Sequence, residues 1–100
     1  MVEKAADAGL YSPLLDTLIE RDLREHSDNL RVLYGYLLCE RRPTIAATYL
    51  HMHRNNVIYR IGRIESMLSI SLEDSKIRQE LEMSFLVLEL MKMEDGTGRL

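Results

Sequence analysis

From Arg41 to Ile64 the chain runs for 24 residues without one acidic side chain, and in that window it places Arg41, Arg42, Arg54, Arg60 and Arg63 together with His51 and His53. The whole sequence of 100 residues holds 13 Lys and Arg against 16 Asp and Glu, a net charge of −3. Outside the window 8 basic groups therefore face all 16 acidic ones, so the window stands at +5 and the remainder at −8. One cationic stretch on an anionic body is the electrostatic footprint of a polyanion-binding surface. The same window carries Asn55, Asn56 and Tyr59. Asn pairs in bidentate fashion with adenine and Arg with guanine. Tyr and Arg also reach phosphate oxygens.

These residue types recognise rather than catalyse. No nucleophile, base and orienting group come together at useful spacing, and there is neither a Gly-rich phosphate loop nor a metal motif. The pair His51 and His53 has no Cys or acid nearby to complete a metal site. No enzyme activity, cofactor or metal is expected.

The elements that position these groups read as helices. Ser12-Pro13 has the form of an N-cap with proline at the first helical position. Leu14, Leu15, Leu18, Ile19 and Leu23 follow as one apolar stripe. His26 to Asn29 is a polar break in which Ser27 or Asp28 can cap the next helix. Leu30, Leu33, Tyr34, Leu37 and Leu38 recur with helical spacing, and Glu40-Arg41-Arg42-Pro43 ends that element, since a residue before proline avoids the α region. Thr44 is suited to cap a short helix over Ile45 to Leu50. His51-Met52-His53 is the turn, and a longer helix runs from about Arg54 to Leu68. Short helix, three-residue turn and second helix are the layout of a helix-turn-helix. Ser69 to Leu72 reads as an extended link. Asp74 or Ser75 opens a last helix with Ile77, Leu81, Phe85, Leu86, Leu88 and Met91 as its apolar residues. No segment alternates with the period of a strand.

On the Arg54–Leu68 helix, Val57, Ile61, Ile64 and Leu68 share one narrow arc and belong to the core, while Asn55, Tyr59, Gly62 and Ser66 lie opposite, flanked by Asn56 and Arg63. An ordinary solvated helix mixes charge signs; here the first acid is Glu65. Arg60 sits between the faces, so an internal ion pair and a DNA contact are equal alternatives. Gly62 costs about 1 kcal/mol relative to Ala in a helix, and either admits a phosphate backbone or has no role.

The string His53-Arg54-Asn55-Asn56-Val57-Ile58-Tyr59-Arg60-Ile61-Gly62-Arg63-Ile64-Glu65 resembles the H-R-N-T-[VL]-x-Y-R-L-x-R-I-E run of the C-terminal helix-turn-helix domain of PucR/CdaR-type bacterial transcriptional regulators. Ala47 and Leu50 match that family's A-x-x-L before the turn. Leu10 to Leu15 resembles its opening segment, and Ser71 to Asp74 with the last apolar helix its closing one. The likeness spans roughly residues 10 to 91. Asn56 stands where the family has Thr, and Gly62 where a long polar residue is common, which implies a base preference different from that of relatives.

The resemblance implies a C-terminal domain that follows a regulatory region, with the effector sensed outside this chain and residues 1–9 acting as linker or the end of a preceding domain. The expected architecture is all-α, a small bundle of five to six helices containing a helix-turn-helix over residues 10–93, with a flexible tail at 94–100. The expected function is sequence-specific binding of double-stranded DNA. Asn55, Asn56, Tyr59 and Arg63 are the candidates for base or phosphate contact, His53 and Arg54 for phosphate at the helix start, and Arg41 and Arg42 for backbone contact from the preceding turn; Thr44 joins this set. The alternative is a protein-interaction or dimerisation module without DNA binding, because Met83, Phe85, Leu86, Val87, Leu88, Leu90, Met91 and Met93 crowd the last helix beyond a single stripe. Homo-oligomerisation of the full regulator suits a reader that needs two half-sites. No run reaches the roughly 20 apolar residues of a membrane span. The lone Cys39 fits a reducing cytoplasm and reads as a small buried residue.

Overall fold

The computed structural model describes residues 12–94, with side chains described as far as Lys92. Five α-helices and no strand occur among these residues: α1 Pro13–Glu25, α2 Asn29–Leu38, α3 Pro43–Leu50, α4 Arg54–Leu68 and α5 Ser75–Glu94. The expected linker at 1–9 lies outside the described residues, and so does the expected tail, except that α5 still includes Glu94.

The start of α1 follows directly from its sequence. Ser12 is the N-cap, its hydroxyl accepting from the Leu14 N–H at 3.1 Å, and Pro13 opens the helix. The Ser12 N–H donates to Ser84 Oγ at 2.7 Å and the Ser12 hydroxyl donates to Glu80, which ties this end to α5. The start of α2 is held from outside its own segment. Asp28 occupies the N-cap position but makes no cap bond. The Asp22 carboxylate of α1 does so instead, accepting from the Asn29 N–H at 3.0 Å and the Leu30 N–H at 2.8 Å. One side chain thus satisfies two of the N–H groups that a helix start leaves orphaned.

α1, α3 and α4 stop at a cap residue in the left-handed region, His26, His51 and Ser69, and beyond its cap Cys39 α2 is followed by Glu40 and Arg41 in the same region; none of these is glycine. At the end of α3 the Met52 N–H reaches the Ala47 carbonyl at 2.9 Å and the His51 N–H reaches Thr48 at 3.3 Å. This paired reverse bonding is the Schellman cap. The same pattern closes α2, where the Arg41 N–H bonds Tyr36 at 2.8 Å, and α4, where the Ile70 N–H bonds Glu65 at 3.0 Å.

Several boundaries depart from the sequence reading for this reason. The left-handed pair at Glu40 and Arg41 stops α2 at Leu38, before the proline can act. α3 starts at Pro43 with Arg42 as N-cap, so Thr44 lies inside the first turn and caps nothing. The link after α4, read as extended, is tied down by a cap and a turn: Leu72 is buried, its N–H donating to Glu65 Oε2 at 2.8 Å and its carbonyl accepting from Arg78 at 2.6 Å. Leu23 and Leu86, assigned to apolar stripes, are exposed.

α2 is the hub and packs against each of the other four helices. Its Val32, Leu33 and Leu37 meet Leu15 and Leu18 of α1, Ala46, Ala47 and Leu50 of α3, Val57, Ile61 and Ile64 of α4, and Leu81, Phe85 and Leu88 of α5 in one continuous core. Tyr34 adds an edge-on contact with Phe85, ring centroids 5.0 Å apart. Burying each large aliphatic side chain contributes about 1.5–3 kcal/mol, so the inward arc of α4 is what fixes that helix to the body.

Gly35 permits a close approach within this core. A Cβ there would stand 2.6 Å from Cδ2 and 2.9 Å from Cγ of Leu50, itself fully buried. A Cβ at Gly62, by contrast, would meet nothing within 4 Å. Gly35→Ala is therefore expected to destabilise the fold, overpacking at about 1–3 kcal/mol exceeding the gain of up to about 1 kcal/mol in helix propensity. Gly62→Ala should gain that propensity without a clash, by up to about 1 kcal/mol. Urea denaturation of the two variants checks this; equal shifts of the same sign would refute the steric account.

Candidate nucleic-acid interface

α3, the turn His51–His53 and α4 form the helix-turn-helix. Ala46, Ala47 and Leu50 of α3 and Val57, Ile61, Ile64 and Leu68 of α4 point into the core. The opposite arc is open to solvent, and it carries every residue that the helical wheel placed there: Asn55, Asn56, Tyr59, Gly62, Arg63 and Ser66 are all exposed. Arg42, Thr44, His53 and Arg54 are exposed as well. A shallow groove lies along α4, lined by Ile58, Tyr59, Gly62, Arg63, Ser66 and Met67 with Arg21 of α1 opposite.

Both helices start without the usual electrostatic compensation. Neither α3 nor α4 has an acidic residue in its first turn, and neither N-cap, Arg42 nor His53, makes a side-chain cap bond. His53 thus occupies the cap position without performing the bond. The Asn56 N–H donates to the His53 carbonyl at 3.0 Å, which leaves the earlier N–H groups of α4 and the positive end of its dipole to favour an anion.

The five arginines of the acid-free window divide into two groups. Arg42, Arg54 and Arg63 make no ion pair among the described residues. Arg41 is half-buried and donates to Glu73 at 3.2 Å. Arg60 donates to Asp28 at 2.6 Å and to Asn29 Oδ1 at 3.3 Å, so of its two alternatives the structure holds it in the internal pair. Asp28 also accepts from Arg31 at 3.3 Å, and Arg31 donates to the Leu50 carbonyl at 2.8 Å. This chain of contacts links the start of α2, the end of α3 and the middle of α4. Neither acid partner could be inferred locally, since Asp28 and Glu73 each lie 32 residues from their arginine.

The structure also exposes Ile45, Thr48 and Tyr49 on the outer side of α3, beside the turn. They were omitted from the sequence-derived set. Their signal was present, because Ala46, Ala47 and Leu50 occupy the inward arc and leave positions 45, 48 and 49 outside. No group of three or more His, Cys, Asp and Glu suited to a metal occurs among the described residues. No helix there is long and apolar enough to cross a membrane.

These features define a helix-turn-helix domain of the DNA-binding class. A family model for the PucR C-terminal helix-turn-helix domain matches residues 29–87, more than half of the chain, and the chain belongs to that family. This is a family of DNA-binding regulator domains rather than of enzymes. No curated protein and no solved structure matches the chain.

The Asp28 network has a pH signature. The hydrogen bond from Arg60 holds the Asp28 carboxyl below its ordinary value of 3.8. A carboxyl lowered in the folded state contributes stability above its unfolded value and loses it as pH falls through the folded one. Between about pH 5 and pH 3 the native chain should therefore lose more stability than Asp28→Asn, by less than about 1 kcal/mol because the pair is half exposed and screened. Parallel stability curves for the two proteins over that range would exclude this role for Asp28.

Proposed function

We propose that this domain binds double-stranded DNA sequence-specifically, with α4 in the major groove, as the C-terminal reader of a bacterial transcriptional regulator. The observation that carries this reading is the outer arc of α4. It is anchored by four buried aliphatic residues on one side and presents two Asn, a Tyr and an Arg without any acid on the other. Asn55 and Asn56 in the first turn are placed for base edges, and Tyr59 and Arg63 further along for bases or the sugar-phosphate backbone. His53 and Arg54 receive phosphate at the start of α4, where the first-turn N–H groups add donors. Arg42 and Thr44 do the same from the start of α3, with Thr48 and Tyr49 as further backbone contacts. Arg41 is the weakest member of the set, since Glu73 already neutralises it. A regulator of this kind works in the cytoplasm, senses its effector through another region, and pairs two domains on half-sites about 34 Å apart.

Two alanine variants separate base reading from backbone contact. Asn55→Ala should cost about 1–3 kcal/mol at the selected site and little on random DNA. Arg63→Ala should weaken all sequences alike and reduce the salt slope by about 1. With three unpaired arginines, the slope of log affinity against log salt for one domain should be about −3. Val57→Ala should instead lower stability by up to a few kcal/mol. Affinities for a site selected from a random pool and for random DNA, at several salt concentrations, decide the matter; unchanged binding in both surface variants removes α4 as the reader.

A further inference from the structure

The core accounts for the inner stripe of α5, Ile77, Leu81, Phe85 and Leu88. A second stripe lies outside it. Met83, Leu86 and Leu90 are 60%, 50% and 53% exposed. Beside them Leu38 of α2 is 52% exposed. A groove between α2 and α5 takes in two of these residues, Leu38 and Leu86, with Tyr34, Leu37 and Phe85 along its floor and Glu40, Glu82 and Glu89 at its edge; Met83 and Leu90 lie outside it on the solvent face of α5. Scattered exposed apolar residues are ordinary, but a contiguous patch inside a polar rim marks an interaction surface.

Charge identifies the occupant. Glu82 and Glu89 of α5 and Glu40 just past α2 stand beside the apolar residues of the groove. Charges at the edge of an apolar contact choose the partner by the charges that face them. The groove is lined by three acids and no Lys or Arg. A second copy of this chain would bring the same acids to the same contact, and like charges placed together across an interface are strongly unfavourable. We infer that this groove receives an amphipathic helix of another protein, whose apolar seam is flanked by Lys and Arg. None of the groove's residues belongs to α3 or α4, so the site is separate from the proposed DNA face and does not depend on it.

The test uses the full chain and two synthetic helical peptides of about three heptads. Both have Leu in the seam; one carries Lys and Arg at the flanking positions, the other Glu. Fluorescence anisotropy should show saturable binding of the basic peptide, at least about tenfold tighter than the acidic one and weakened by salt. Leu86→Lys should abolish it while leaving the circular dichroism spectrum and DNA affinity unchanged. Joint replacement Glu82→Lys with Glu89→Lys should invert the preference between peptides, an outcome that non-specific charge attraction elsewhere on the acidic body cannot give. Three results would overturn the inference: no binding of either peptide, a preference that survives the double replacement, or a concentration-dependent dimer in sedimentation that Leu86→Lys dissolves, which would assign the face to a second copy.

Discussion

The position of the whole helix-turn-helix depends on one close contact, where α2 has no side chain at Gly35 and the Leu50 side chain fills the space. Leu50 is the last residue of α3, so this contact sets how near the turn comes to the hub helix. Arg31, one turn earlier on α2, fastens the same residue by its carbonyl and so satisfies an orphan acceptor at the helix end. Asp28 then couples Arg31 to Arg60 of α4. Packing and polar contacts therefore act on one point from two directions. Hydrophobic burial alone is non-directional; the sterically demanding glycine and the geometrically demanding arginines make the angle between α3 and α4 specific.

The sequence read a helix from about Arg54 to Leu68, which are the bounds of α4, and a turn at His51–His53 before it. Both rest on a strongly periodic pattern, with Val57, Ile61, Ile64 and Leu68 repeating at helical spacing. The ends of α2 and the start of α3 were less legible for a definite physical reason. Helix ends announce themselves through glycine in the left-handed cap position. Here Glu40 and Arg41 take that conformation against a steric preference of roughly 1–2 kcal/mol each, and nothing in their chemistry advertises it. The cap of α2 was hidden for a related reason, since Asp22 lies in the preceding helix and reaches across the break.

The outer arc of α4 was similarly readable, and the partners of the arginines were not. Periodicity assigns a residue to a face but says nothing about which distant acid the fold brings beside it. Arg41 and Arg60 share the window with Arg42, Arg54 and Arg63, yet tertiary structure pairs the first two with distant acids, Arg41 with Glu73 at the surface and Arg60 with Asp28. The surplus of +5 in the window is thus +3 once internal pairs are removed. A count of basic residues overstates the electrostatic footprint by whatever share the fold consumes.

The two spent arginines still shape recognition indirectly. By neutralising Asp28 and Glu73, they remove two carboxylates that would otherwise oppose a phosphate backbone. What remains is an asymmetric particle, with unpaired cations and uncompensated helix starts on α3 and α4 and acid-rimmed apolar surface on α2 and α5. Such a charge distribution orients a molecule in the field of a polyanion before contact, because the acidic side is repelled while the cationic side is drawn in. The acidic rim also keeps nucleic acid out of the groove between α2 and α5. That leaves this apolar surface accessible while the opposite charge is engaged, a division of labour that a uniformly basic domain of the same fold would lack.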